Sequence, residues 1–287
     1  MILGVPKEIL DNELRVAALP ETAAEYVKLG FEVLVQASAG EGALRADAEY
    51  QASGAKIVGD PQALLAAADV IVKVKQPWFN QETGQHEVEM MRRGTVLVTF
   101  LHPAAPPNHD TIRMLAARNI TALTMDDIPR ISRAQTMDAL TSMSTVTGYK
   151  SVLIAANRFP KFVPMIGTAI GTVKAAKFLV VGTGVVGLQA IAAAKRLGGS
   201  VKAVDIKQDA RLAADSLGAK IGGFDVPPEL AIGQGGYARA LPPEWLEKER
   251  AALGPLVQEA DIVILCALVP GEVAPVLVTE EMLQKMK

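Results

Sequence analysis

The stretch VVGTGVVGLQA, Val180 to Ala190, constrains this chain more than any other. Gly182, Gly184 and Gly187 stand in G-x-G-x-x-G spacing directly behind the apolar run Phe178–Val181. An alanine-rich helical stretch, Leu188–Leu197, follows, and a second apolar run, Val201–Val204, ends at Asp205. Strand, glycine turn, helix, strand and acid form the order that a dinucleotide site requires. Gly182 permits the tight turn, Gly184 lets the backbone approach a pyrophosphate, and Gly187 lets helix and strand pack closely. The helix start then offers unpaired N–H groups and a positive dipole end to that pyrophosphate. Asp205 is placed to accept hydrogen bonds from the adenosine ribose and to repel a 2′-phosphate, which favours NAD over NADP.

The rest of the chain fits a protein of more than one domain. At 287 residues, with 50% hydrophobic and 21% charged residues, it can bury two sizeable cores. A formal net charge of −2 shows no basic bias and argues against nucleic acid as a partner. The single cysteine, Cys266, lies in the apolar run Ile262–Leu268, where a buried strand thiol is expected rather than a nucleophile. It has no internal disulfide partner, which suits a reducing compartment. Met1–Pro6 is too short an apolar run for a secretory signal and leads straight to charged residues. No apolar run is long enough to span a membrane. His86 and His109 lie in polar loops with no partner at metal-ligand spacing, so no metal is expected.

Read in order, the chain is α/β: two Rossmann-like domains with parallel sheets flanked by helices. Met1–Val5, Phe31–Gln36, Lys56–Val58, Val70–Val74 and Thr95–Leu101 are short apolar runs, about five strands before Pro129. Helical patterns such as Pro61–Ala68 and Asn108–Arg118 lie between them, which indicates a parallel sheet. In Ile131–Asn157, Met137, Leu140, Met143, Val146, Tyr149 and Val152 recur at helical spacing. This predicts one long helix (131–157) linking an N-terminal domain, 1–130, to a nucleotide-binding domain, 158–287. Phe159–Pro164 with Gly167 and Gly171 reads as a loop. Gly223–Pro243, rich in glycine and proline, is a longer one of the kind that serves as a lid. About four strands are expected in the second sheet, where a full dinucleotide fold uses roughly six. The sheet is then either small or part of a polypeptide truncated at its C-terminal end.

Three stretches, IPRISRAQTMDALTS (Ile128–Ser142), the glycine fingerprint with Asp205, and GQGGYAR (Gly233–Arg239), together resemble the NAD(H)-binding domain I, or alpha subunit, of the proton-translocating nicotinamide nucleotide transhydrogenases. The order from GVPKE at Gly4–Glu8 to PVLVTEEM at Pro275–Met282 matches as well, so the resemblance covers essentially the whole chain. It implies NAD(H) bound in the cleft between the two domains and hydride exchange with NADP(H) on a partner domain III. A membrane proton-channel subunit would couple that exchange to proton translocation. By the same resemblance Arg130, Gln135 and Asp138 are the catalytic positions beside the nicotinamide, with Gln135 reaching toward the partner's nucleotide. Cofactor contacts are implied for these three and for Ser132, Arg133, Thr141, Gly182, Thr183, Gly184, Val185, Gly187, Asp205, Ile206, Lys207, Gly236, Tyr237 and Leu268, Tyr237 lying on a mobile loop. Thr136 and Thr141 stand where the family pattern has serine. The resemblance further implies a homodimer, cytoplasmic and peripheral on the inner face of a bacterial plasma membrane. The family also continues past this chain's last residue to complete the first domain.

The residues alone are compatible with that chemistry. Hydride transfer between two nicotinamides needs no protein acid or base, only two rings held face to face with water excluded. A glycine-rich loop carrying one tyrosine suits a lid. Two other readings stay open. Lys75 and His102 each follow an apolar strand and, with Arg15, resemble the substrate-binding and catalytic positions of alanine dehydrogenase, a relative of the same architecture. In that reading one of them supplies the acid or base, although the reading that His102 caps a strand before Pro103 is preferred for that residue. The other reading is a non-catalytic NAD-binding sensor.

Overall fold

Parallel strands need crossovers, and the chain alternates accordingly. The computed structural model describes residues 1–129, 131–169, 171–233, 238–269 and 272–286. It divides into two compact units, Met1–Asp138 and Ala139–Lys287. The first unit runs β1 (Ile2–Val5), α1 (Pro20–Lys28), β2 (Glu32–Gln36), α2 (Asp47–Ala52), β3 (Lys56–Val58), α3 (Pro61–Ala67) and β4 (Val70–Val72). A small hairpin of β5 (Phe79–Asn80) and β6 (Gln85–His86) follows, then α4 (Glu87–Met90), β7 (Val96–Thr99), α5 (His109–Ala117) and β8 (Thr121–Thr124).

The sheet order is β3-β2-β1-β4-β7-β8, every pair parallel. This is the doubly wound order, with its switch point between β1 and β4. Successive strand residues point to opposite faces, so Leu34, Ile71 and Leu97 join the core under α3, α4 and α5. Leu3, Val5, Val33 and Val35 pack on the other face with Tyr50 of α2. Apolar runs without alternation follow from a sheet covered on both sides. The expectation of five strands misses β8. Its residues TALT alternate exposed and half-buried at the sheet edge, so it lacks a continuous apolar run.

The second unit opens with α6 (Ala139–Arg158) and an antiparallel hairpin, β9 (Ile166–Thr168) and β10 (Gly171–Val173). It continues through β11 (Lys177–Val181), α7 (Val185–Arg196), β12 (Ser200–Val204), α8 (Gln208–Ser216), β13 (Lys220–Ile221), α9 (Pro228–Ala231), α10 (Pro243–Glu259), β14 (Ile262–Leu265) and α11 (Glu280–Gln284). The parallel order β13-β12-β11-β14 repeats the winding of the first unit's first four strands. Its switch point lies between β11 and β14.

α6 packs on α7 at Gly148. A Cβ there would sit 2.2 Å from the Val186 carbonyl oxygen, so only glycine lets the two helices approach so closely. Two expectations are corrected. The stretch read as one helix from Ile131 to Asn157 is divided. Ser132–Met137 forms a 3-10 turn, Asp138 leaves helical geometry (φ −78°, ψ 77°), and the α-helix begins at Ala139. Aspartate competes with the backbone for hydrogen bonds and favours such a break. The segment read as a loop around Gly167 and Gly171 contains the β9–β10 hairpin, with the Thr168 hydroxyl donating to the Gly171 carbonyl at 2.7 Å.

Candidate nucleotide site

Two units with one winding offer two switch points, and their chemistry differs. In the second, the β11 ladder continues into the turn: the Gly182 amide donates to the Val204 carbonyl at 2.8 Å and the Cys266 amide to the Val181 carbonyl at 2.8 Å. The turn is thereby clamped between the ends of β12 and β14. Gly182 has φ +89°, and a Cβ on it would lie 2.6 Å from the Ala267 amide nitrogen, so a side chain is excluded both by conformation and by space. A Cβ on Gly187 would sit 2.0 Å from the Gly182 carbonyl oxygen, which lets α7 start tight against the turn. Gly184 differs: it is exposed, and a Cβ on it would meet no protein atom within 4 Å. Packing does not require its missing side chain, and the backbone there is open to the approach of a pyrophosphate. From Gly184 the amides of the first turn of α7 face outward with the positive end of the helix dipole.

Asp205 locks to this turn. Its Oδ2 accepts from the Thr183 amide at 2.6 Å and the Thr183 hydroxyl at 3.1 Å, and its Oδ1 accepts from the Lys207 amide at 2.8 Å. A carboxylate has about four lone-pair sites, so acceptor capacity remains for a ribose hydroxyl. Gly182, Thr183, Gly184, Val185, Gly187, Asp205, Ile206 and Lys207 are thus brought together at the C-terminal ends of β11 and β12. Leu268, exposed, follows Ala267 on the loop that backs the turn. Cys266, on that same loop, has its thiol pushed up to about 11 by burial, which leaves it protonated and unreactive near neutral pH.

The other predicted positions are distributed differently. Ser132, Arg133 and Gln135 are exposed on the 3-10 turn at the end of the first unit, with Asp138 at its C-cap. Thr141 is half-buried in the first turn of α6. Arg130, Gly236 and Tyr237 lie outside the described residues. The strand-like bridge between Ile232 and Ala238, with the Arg239 amide donating to the Ala231 carbonyl at 3.0 Å, brings the flanks of the expected lid together.

The first unit's switch point is built differently, with a pocket lined by Lys7, Glu8, Glu13 and Arg15 beside it. The residues after β1 carry no glycine turn. Instead Glu8 accepts from the Val74 and Lys75 amides at 2.6 and 3.2 Å, which caps the end of β4. Lys73, buried at that end, bonds Glu87 at 2.8 Å and lies 3.6 Å from Glu8. Glu87 also accepts from the Trp78 amide at 2.9 Å. Burial raises the Glu8 pKa. Lys73 also resists charge through burial, but the two carboxylates outweigh this and raise its pKa. Sequence pattern singles out Lys75 and passes over Lys73. The buried lysine is the one inside the strand-end run IVK, which is the only signal the sequence offers for it.

The remaining alternative positions are also engaged. Arg15 is held by Glu13 through Nε at 2.7 Å and a terminal nitrogen at 2.5 Å. His102 has φ 48°, stacks on Phe100 with ring centroids 5.9 Å apart, and pairs through Nδ1 with Asp126 at 2.6 Å. Asp126 further accepts from the Leu101 and His102 amides and the Thr124 hydroxyl. Burial opposes its ionisation, but these bonds and the His102 charge outweigh that and lower its pKa. His102 is therefore tied to Asp126 through its own amide as well as its ring.

A doubly wound sheet with a glycine turn at its switch point and an acid at the end of the next strand defines a dinucleotide-binding protein of the Rossmann class. Comparison with known proteins takes this further. The family model described as "Alanine dehydrogenase/PNT, N-terminal domain" matches residues 4–147, and its C-terminal counterpart matches residues 151–287. The chain belongs to the alanine dehydrogenase/PNT family. It is 43% identical to an NAD(P) transhydrogenase subunit alpha polypeptide of Rhodospirillum rubrum, over all of this chain and 74% of that protein. It is 40% identical to NAD(P) transhydrogenase subunit alpha of Cereibacter sphaeroides, over all of this chain and 54% of that one. The chain thus spans about three quarters of the first relative and about half of the second. Among solved structures, transhydrogenase from Sinorhizobium meliloti superposes with a TM-score of 0.82 at 38% identity, over all of this chain and 76% of that one. Alanine dehydrogenase of Bacillus subtilis is more distant, at 33% identity over all of this chain and 68% of that enzyme. The family's members are oxidoreductases, and membership implies a nicotinamide nucleotide.

Proposed function

We propose that this chain is the NAD(H)-binding component of a proton-translocating NAD(P) transhydrogenase. The observation that carries the reading is the identity gap: 40–43% to transhydrogenase alpha subunits against 33% to alanine dehydrogenase.

In this reading NAD(H) lies with its pyrophosphate on the first turn of α7 and its adenosine ribose on Asp205. The bound nicotinamide supplies the hydride donor or acceptor. The chain's residues bind and orient it: Gly184 leaves room for the pyrophosphate, and Asp205 disfavours a 2′-phosphate. Arg130, Gln135 and Asp138 position the nicotinamide end, and the exposure of Gln135 leaves its amide available to a second protein. That second protein is an NADP(H)-binding domain III, and a membrane subunit couples the exchange to proton movement. No helix among the described residues is long and apolar enough to cross a membrane. The assembly is a homodimer of this component, peripheral on the inner face of the plasma membrane.

Gln135→Asn tests the reading. With an NADP(H)-binding partner present, hydride exchange falls at least tenfold while NADH affinity changes less than threefold. An unchanged exchange rate removes Gln135 from the ternary arrangement.

A further inference from the structure

α10 lays Leu246, Leu253, Leu256 and Val257 on the core formed by β11, β12 and β14. One side chain on that buried stripe is out of character. Glu249 stands a single turn before Leu253, is 6% exposed, and makes no hydrogen bond or ion pair among the described residues. Its oxygens are not fully enclosed, so the carboxyl keeps a narrow opening to solvent, and a carboxyl so nearly buried without a partner is costly to ionise. α10 leads into β14, parallel to β11 and β12, and therefore begins at the C-terminal ends of those strands. Glu249 is the seventh residue of α10, which this topology sets toward the strand end where β12 gives way to Asp205. Among the described residues, the charged groups that act on it are Asp205, after β12, and Arg250 on its own helix. Arg250 is directed elsewhere, to Glu247 at 2.5 Å and the Val276 carbonyl at 2.8 Å.

We propose that Glu249 is a specificity-determining residue of the adenosine-ribose pocket, a second carboxyl behind Asp205 whose ionisation strengthens rejection of a 2′-phosphate. The proposal rests on the reading that Asp205 holds the ribose. Burial first, and the Asp205 charge second, push the Glu249 pKa up to about 7, with Arg250 opposing weakly. Near neutral pH the pocket thus changes between one negative charge and two. A 2′-phosphate, itself carrying about −1.5 to −2 charge, meets more repulsion in the second state. NADH, which has a neutral ribose there, is little affected. Through protein-like screening one added charge changes the preference on the order of tenfold.

The test is fluorescence titration of the protein with NADH and with NADPH from pH 6 to pH 9, for wild type, Glu249→Gln and Asp205→Asn. The phosphate of NADPH titrates in the same range, and the Gln variant carries that effect alone. The proposal expects the NADH-to-NADPH preference of the wild type to rise on the order of tenfold more than that of Glu249→Gln, with the extra rise centred near pH 7. Parallel profiles for wild type and Glu249→Gln overturn it. If Glu249→Gln does not fold, a wild-type preference that rises no further than the phosphate's own titration overturns it equally. Relaxed preference in Asp205→Asn with parallel wild-type and Gln profiles leaves the ribose reading standing and removes Glu249 alone. Absence of NADH binding by the wild type removes both.

Discussion

Gly184 and Gly187 stand three residues apart in one motif, and the structure predicts opposite outcomes for replacing them with alanine. At Gly187 the new Cβ would lie 2.0 Å from the Gly182 carbonyl oxygen. That partner is backbone, so α7 has to move away from the turn, and overpacking of this kind costs about 3 kcal/mol. At Gly184 the Cβ would meet no protein atom within 4 Å, and the backbone (φ −71°, ψ −162°) is one alanine adopts. Gly184→Ala should therefore fold as well as wild type, or gain about 0.5 kcal/mol through a stiffer unfolded chain. Its methyl would instead occupy the approach to the helix N-terminus, and NADH affinity should fall at least tenfold. Urea denaturation and NADH titration on both variants separate the two effects. A Gly184→Ala protein that is stable and binds NADH as tightly as wild type refutes the claim that this turn carries the pyrophosphate.

Two further predictions concern buried charge. Lys73→Met leaves Glu8 and Glu87 facing each other without a cation, and should cost about 3–5 kcal/mol at neutral pH in denaturant unfolding. An effect below about 1 kcal/mol would show that the triad does not stabilise the first unit. Glu249 makes the second unit's stability pH-dependent. Its folded pKa of about 7 exceeds the unfolded value of 4.5, so the folded state holds the proton more tightly. Stability is then full below pH 4.5, falls between there and about pH 7, and is flat above, a loss of about 1–3 kcal/mol once solvent screening is allowed for. Glu249→Gln should remove this slope and be the more stable protein at pH 8.

The second unit is legible in the sequence because its signals are local. Three glycines, two apolar runs and Asp205 lie within one short stretch, and each residue's task follows from the turn itself. The winding of both sheets is legible for a related reason, since apolar runs separated by helical patterns admit few arrangements. What escapes depends on distant partners or on edges. Lys73 is buried only because Glu8 and Glu87, far along the chain on either side, close over it. Glu249 reads as one more charge on an amphipathic helix until α10 is seen to bury that position, where the Asp205 charge acts on it. β8 is an edge strand whose threonines break the apolar pattern, and the helix expected from Ile131 stops at Asp138 for local backbone reasons that periodicity does not register.

The central claim is that the glycine turn holds one nucleotide of a reaction whose other half is on a partner. Its most direct measurement is hydride transfer from NADH to an NADP analogue of distinct absorbance, made with this protein alone, with an NADP(H)-binding domain III added, and in parallel with NAD and alanine. The account predicts exchange that appears only with the partner and no reduction of NAD by alanine. Alanine-dependent formation of NADH by this protein alone would contradict it.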